Sequence, residues 1–156
     1  MKRENFNGGR LTVPGLVLLI LNIGPIRGKT KLQKEVFLAW NEVFGKRYAM
    51  DPVFHPDQFG PYSQLVLDSQ TLLKSKKDIR VVPRGEGHQT YVISSKGKST
   101  LMEELKHTEI PSGLLVQLST KKADWDEWTV KGIMRYIYRN YPYYAIKARI
   151  KELKWE

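Results

Sequence analysis

A mostly helical α+β fold follows from three features of the chain. Apolar residues recur at helical spacing through three successive segments, roughly 12–23, 30–44 and 61–77. The period then switches to alternation. Ile79 and Val81 alternate with Arg80 and Val82, and Tyr91-Val92-Ile93 answers them across the glycine-punctuated loop Pro83-Arg84-Gly85-Glu86-Gly87-His88. Ser94 or Ser95 then caps a further helix that buries Leu101, Met102 and Leu105. Three helices closed by a two-stranded hairpin give the outline of a winged helix-turn-helix, with additional helices after residue 109.

Each element has its own local reason. Residues 1–10 are polar and contain Gly8-Gly9, which predicts a mobile arm ahead of the core at 11–108. Thr12 can cap the first helix, with Pro14 in its opening turn and Gly24-Pro25 as its stop. Leu16, Leu19, Ile20 and Ile23 share a face, and the segment is apolar nearly all round, so it should be central. The second helix reads as a capping box: the Thr30 hydroxyl accepts from the Gln33 backbone and Gln33 reaches back. Leu32, Val36, Trp40 and Val43 then face inward, widened by Phe37 and Phe44. Lys31, Lys34, Glu35, Asn41 and Glu42 are left for an outer face with a basic first turn.

Val53-Phe54 suggests a short strand, and Phe59-Gly60-Pro61-Tyr62-Ser63 a turn that opens the third helix with Pro61 in its first turn. Leu65, Ser69, Leu72 and Leu73 form its inward stripe, and it ends in Lys74-Ser75-Lys76-Lys77, where cations suit the helix dipole. In the last third, Pro111 opens a helix through Leu114, Leu115 and Leu118. Val130, Ile133, Met134, Ile137 and Tyr141 mark another, stopped by Pro142, and Tyr144 to Lys154 is amphipathic and basic. The extension 109–156 should pack on the winged core or on a dimer partner, which leaves one compact domain.

Composition narrows the function. A length of 156 residues, 41% of them hydrophobic, suits one domain with a real core. There is no cysteine, so disulfides, thiolate metal sites and a cysteine nucleophile are excluded. His55, His88 and His107 have no metal-ligand spacing, and no cofactor motif accompanies them. The longest apolar run, Leu16–Leu21, is too short for a membrane span and lacks a cleavage signature, so the expected location is cytoplasmic. The net charge of +10 makes polyanions the natural partner class, nucleic acid first. Basic and acidic residues number nine and five over 1–58, eight and five over 59–108, and nine and six over 109–156, so total charge does not locate a site.

Gly24-Pro25-Ile26-Arg27-Gly28-Lys29-Thr30 imitates a phosphate-binding loop. That motif needs four residues between its glycines; here there are three, and Pro25 removes one N–H donor. A helix end, a turn and a new helix explain the stretch better. Glu103-Glu104 and Asp124, Asp126, Glu127 read as solvated acids near helix ends rather than catalytic pairs, and no enzyme activity is expected.

Three segments together resemble the YwgA-like proteins: Gly28-Lys29-Thr30-Lys31-Leu32-Gln33-Lys34, Phe59-Gly60-Pro61-Tyr62-Ser63 and Tyr136-Ile137-Tyr138-Arg139-Asn140-Tyr141-Pro142. The first two are similar also to the Panacea (SocA-type) antitoxin domains, which share the LQK helix and the GP turn. Tyr91-Val92-Ile93-Ser94-Ser95-Lys96-Gly97 looks like the second wing strand and following cap of winged-helix regulators. The likeness spans roughly 15–142, and Glu35 departs from it, standing where an apolar residue is expected. It implies mostly a fold. From the Panacea side it implies a partner too, a toxin neutralised by protein contact.

For double-stranded DNA the useful cluster is the end of the third helix plus the hairpin: Lys74, Lys76, Lys77, Arg80 and Arg84 against Asp78, with His88 in the hairpin loop. Gln64 and Gln70 can read base edges from an exposed helix face. Lys31 and Lys34 add cations from the second helix, and Tyr62 and Ser63 from the turn before the third can meet a sugar-phosphate. The alternative is an antitoxin- or adaptor-like module without DNA binding, anchored on Trp125, Trp128, Tyr143 and Tyr144. The expected state is a homodimer, its tyrosine-rich run 136–144 serving core and dimer packing.

Overall fold

The computed structural model describes residues 9–85 and 87–148. Among these residues it is an α+β structure with six α-helices and two small antiparallel sheets. In chain order the elements are α1 (Val13–Ile23), β1 (Ile26–Arg27), α2 (Lys29–Leu38), β2 (His55–Asp57), β3 (Gly60–Tyr62) and α3 (Gln64–Ser75), followed by β4 (Ile79–Pro83), β5 (Gln89–Ile93), α4 (Ser95–Leu105), α5 (Ser112–Glu127) and α6 (Val130–Asn140). Helix α2 runs on as a π-turn over Ala39–Val43, and a 3-10 turn over Pro142–Ala145 follows α6. Among the described residues no helix is long and apolar enough to cross a membrane. The expected arm over 1–10 and the basic segment beyond Ala148 lie largely outside the described residues.

α1 is the hub, as its all-round apolar character implies. Leu16, Val17, Leu18, Ile20 and Leu21 are buried, and α2, α3, α4, α5 and β5 all touch it. Thr12 caps it, its hydroxyl accepting from the Gly15 backbone at 3.0 Å. The carboxylate of Glu104 accepts in turn from the Thr12 backbone and hydroxyl. Glu104 is thus a clamp between α4 and α1 rather than a solvated acid.

The hairpin forms as read, Ile79 pairing with Ile93 and Pro83 with Gln89. A third strand joins it: β1 pairs Ile26 with Tyr91 and Arg27 with Thr90, so the sheet order is β1-β5-β4. The stretch that imitated a phosphate loop is therefore partly a sheet edge. A second ribbon, β2–β3, pairs His55 with Tyr62 and Asp57 with Gly60. The strand expected at Val53-Phe54 begins two residues later, and Pro61 lies in β3 rather than in a helical turn. Ser63 is the true start of α3, its hydroxyl accepting from the Val66 backbone at 3.0 Å.

Two expectations about faces fail for stated reasons. Leu65 and Leu72 are 44% and 42% exposed, because α3 turns Val66, Ser69 and Leu73 toward the core instead. Met102 is exposed as well, so of the three expected residues of α4 Leu101 is buried and Leu105 half-buried. The larger correction concerns α2. It starts at Lys29 behind Gly28, whose φ of +96° suits glycine, and no side chain caps it. Thr30 is therefore inside the helix and forms no capping box.

Helix α2 has no outer face over most of its length. Every residue from Lys31 to Leu38 is buried, because α1, α3, α6 and β3 surround it. The extension after 109 closes on this same core: Leu118, Trp125, Ile133, Met134, Ile137 and Tyr138 join one continuous apolar cluster with α1 and α2.

Candidate nucleic-acid interface and the polar junction behind it

The exposed cations lie where α3 gives way to the hairpin. Lys74, Lys76, Lys77, Arg80, Arg84 and His88 are all exposed. Lys77 adopts φ +65°, the left-handed conformation that turns the chain out of α3 and into β4. The turn is fastened to the start of α4. Ser94 donates its hydroxyl to the Lys77 and Asp78 carbonyls, and Lys96 donates to the Lys76 carbonyl at 2.8 Å.

Asp78, the one acid within this run, is only 1% exposed. Its carboxylate accepts from Lys96 and Thr100, each at 3.1 Å. Its charge is directed into the protein, so it does not offset the surface lysines. Nothing in the local sequence marks this: the partners are 18 and 22 residues away.

The middle of α3 is less suited to bases. Gln64 donates to Asp68 at 3.0 Å on the exposed side, and Gln70 donates to the Tyr91 hydroxyl at 3.0 Å. Both expected base readers already hold intramolecular partners. Their neighbours at the surface are Leu65, Asp68, Thr71 and Leu72, an apolar and acidic set.

Three other expected contacts belong to the interior. Lys31 donates its ammonium to the Asp126 and Trp128 carbonyls at 3.0 and 2.8 Å, fastening α2 to the α5–α6 turn. Lys34, 2% exposed, donates to the Pro61 carbonyl at 2.8 Å. Ser63 is fully buried and bracketed by Gln33, which donates to its carbonyl and accepts from its N–H, both at 2.9 Å. Tyr62 is half-buried in the ribbon. Lys31, Lys34 and Ser63 are structural fasteners here, removed from any surface that a duplex could reach.

Glu35, at a position where an apolar residue is expected, completes this junction. It is fully buried, 3.5 Å from the equally buried Lys122 ammonium. Lys122 sits closer to Asp126, at 2.7 and 2.9 Å, and also donates to the Pro25 carbonyl at 3.1 Å. Burial, with the Asp126 carboxylate nearby, pushes the Glu35 carboxyl up to about 9. These facts fit one arrangement: Lys122 is the counter-ion of Asp126, and Glu35 is a buried acid held neutral beside them, its two oxygens without a hydrogen-bond partner among the described residues. Burial likewise lowers Lys34 to about 8, opposed by Asp57.

The expected interface aromatics divide. Trp125 is buried in the core, and Trp128 lies against Tyr136 with ring centres 5.1 Å apart. Tyr144 meets Phe37 edge-on at 4.9 Å, leaving Tyr143 as the exposed member of the four. The tyrosine run is largely core: Tyr136 and Tyr141 both donate to Glu42, and Tyr138 is buried.

The segments Gly28–Lys34 and Phe59–Ser63, far apart in the chain, meet at one cavity of about 350 Å³. It lies between the start of α2, the β2–β3 ribbon and α3. No family model matches the chain, and no curated protein matches it.

Proposed function

We propose that the chain is a winged helix-turn-helix protein that holds duplex DNA by its phosphates, as a regulator or DNA-associated accessory factor. The observation that carries this reading is the exposed set Lys74, Lys76, Lys77, Arg80 and Arg84, from which Asp78 has been withdrawn into a pair with Lys96. Cations on a helix end and an adjoining hairpin suit backbone phosphates. The order α1-β1-α2-β2-β3-α3-β4-β5 with sheet order β1-β5-β4 supports it, since that order places a helix directly before a hairpin wing.

The same surface argues against strong base reading. Leu65, Asp68 and Leu72 occupy the helix face that would enter a groove, so the contact should be largely independent of sequence. Titration of labelled duplex at several salt concentrations tests the reading. About five phosphate contacts give a slope of log K against log salt near −4.5. A flat response, or no binding at low salt, rejects it.

One observation favours a second reading, a protein-interaction module of the antitoxin or adaptor kind. Leu65 and Leu72 stand two turns apart on α3, both exposed, with Val82 also exposed on β4. Recovery of a stoichiometric protein whose binding ignores salt, with no DNA, would favour it.

A further inference from the structure

The cavity between α2, the ribbon and α3 has the chemistry of a ligand site that the duplex reading does not use. Its floor and one wall come from Lys29, Thr30, Gln33 and Lys34; the ribbon supplies Asp57, Phe59, Gly60 and Tyr62, and α3 supplies Leu67 and Gln70. Its volume of about 350 Å³ is that of a small-molecule pocket.

Two observations converge on an anionic group, and a third bears on the rest of the ligand. Lys34 brings an ammonium with three donors, of which the Pro61 carbonyl takes one, and among the described residues no carboxylate pairs with it. Lys29 is exposed at the same wall, at the uncapped start of α2, where backbone N–H groups lack intrahelical partners. Gln70, which also lines the cavity, holds a buried carbonyl oxygen without a partner among the described residues, an acceptor that calls for a donor elsewhere on the ligand rather than for its anionic group. Phe59, 44% exposed, and half-buried Leu67 supply apolar surface. Gly60 at φ +88° keeps the ribbon close: a Cβ there would stand 3.6 Å from the Lys34 Cε and 3.3 Å from the Tyr138 ring. The Tyr138 hydroxyl beside it is buried and unpaired among the described residues.

The geometry points to a binding site for a small organic anion: a carboxylate or phosphate set against Lys34, Lys29 and the start of α2, joined to a ring or short apolar chain that lies on Phe59 and Leu67. Asp57 at the rim disfavours a dianion that approaches from that side, so the head group must enter along α2. The site stands whether or not the chain binds DNA.

The test uses the full chain, labelled with nitrogen-15, titrated with benzoate, phenyl phosphate and inorganic phosphate. Benzamide serves as the uncharged analogue. Saturable amide shifts confined to Lys29, Thr30, Gly60, Tyr62, Leu67 and Gln70 are expected with benzoate or phenyl phosphate, whichever head group the site prefers. Binding of benzamide should be about ten- to a hundredfold weaker, the loss of a charge-assisted contact. Lys29→Gln and Phe59→Ala change exposed side chains and leave the fold intact, and each should weaken binding several-fold. Lys34→Met should abolish it, but the two exposed variants decide the matter if that variant fails to fold. Shifts scattered over the surface, benzamide binding as well as benzoate, or no response to Lys29→Gln and Phe59→Ala would each overturn the site. Inorganic phosphate binding as tightly as phenyl phosphate would overturn its apolar half.

Discussion

Two basic segments look alike in the sequence and are used in opposite ways. Lys29-Thr30-Lys31-Leu32-Gln33-Lys34 opens α2, and Lys74-Ser75-Lys76-Lys77 closes α3. In the first, Lys31 and Lys34 are buried and spend their ammonium groups on backbone carbonyls of distant elements. In the second, every lysine is exposed. The difference comes from what surrounds them. The α2 lysines share their helix with Leu32, Val36, Phe37 and Leu38, which point in every direction, so any fold that buries those four buries the cations between them. The α3 lysines sit at a helix end that turns outward. A charge run is a surface only when its apolar neighbours leave it a free side.

The largest break in that contrast comes from the interior. Lys122→Met removes a fully buried ammonium together with its bonds to the Pro25 carbonyl and to Asp126, whose carboxylate is 38% exposed, and should destabilise by about 1–3 kcal/mol in denaturant unfolding. Lys76→Met on the exposed segment should change stability by less than about 0.5 kcal/mol. Equal effects would show that the two lysine sets are not differently placed.

Next in size is the pH dependence of the junction. Glu35 has its folded value raised to about 9 from an ordinary 4.5. A raised acid contributes its stability below the unfolded value, and loses it as pH climbs toward the folded one. Lys34 is depressed to about 8 from 10.5, so its penalty is complete below about 8 and relieved above. Between about pH 5 and 8, then, Glu35 alone of these two supplies a slope, and stability should fall as pH rises. Lys122, Asp126 and Lys31 are the charges that face it. Glu35→Gln keeps the shape and removes the proton, so it should flatten the unfolding free energy across that window. An unchanged slope would mean that Glu35 is ionised and paired with Lys122.

Glutamines repeat the contrast at smaller scale. Gln33→Leu strips both of these bonds from the buried Ser63 backbone; the carbonyl keeps the Leu67 N–H, but the Ser63 N–H is left unsatisfied, at about 1–3 kcal/mol. Gln64→Leu loses only an exposed bond to Asp68 and should move stability by less than about 0.5 kcal/mol. Thermal unfolding of the two variants side by side checks this.

Much of the fold was legible because periodicity is a local signal. The helix at Val13–Ile23, the hairpin around Gly85 and the stop at Pro142 each follow from residues within a few positions of one another. What sequence reasoning missed depends on distant partners. β1 is two residues long and exists because Tyr91 and Thr90 lie beside it. The capping box at Thr30 failed because Gln33 found Ser63, thirty residues on. Trp125 read as an interface anchor, yet a large aromatic on an amphipathic helix is equally a core residue, and its neighbours in space decide. Of the site, the exposed cations were legible from their run; the withdrawal of Asp78 and the meeting of segments 28–34 and 59–63 at a cavity were not.

The smallest effect is also the most discriminating for the exposed segment. Lys77 holds a left-handed backbone, φ +65°, that glycine adopts without strain. A non-glycine residue there costs about 1–2 kcal/mol, and the extra chain entropy of glycine takes back about 0.5–1. Lys77→Gly should therefore be neutral to stabilising by about 1 kcal/mol, measured by denaturant unfolding. If its ammonium meets a phosphate, the same change should reduce the magnitude of the salt slope for duplex binding by about 0.9. Stability and affinity then move in opposite directions, the mark of a strained residue retained for a contact. A stabilised variant with an unaltered salt slope would leave Lys77 as a turn residue only, and would narrow the proposed contact to Lys74, Lys76, Arg80 and Arg84.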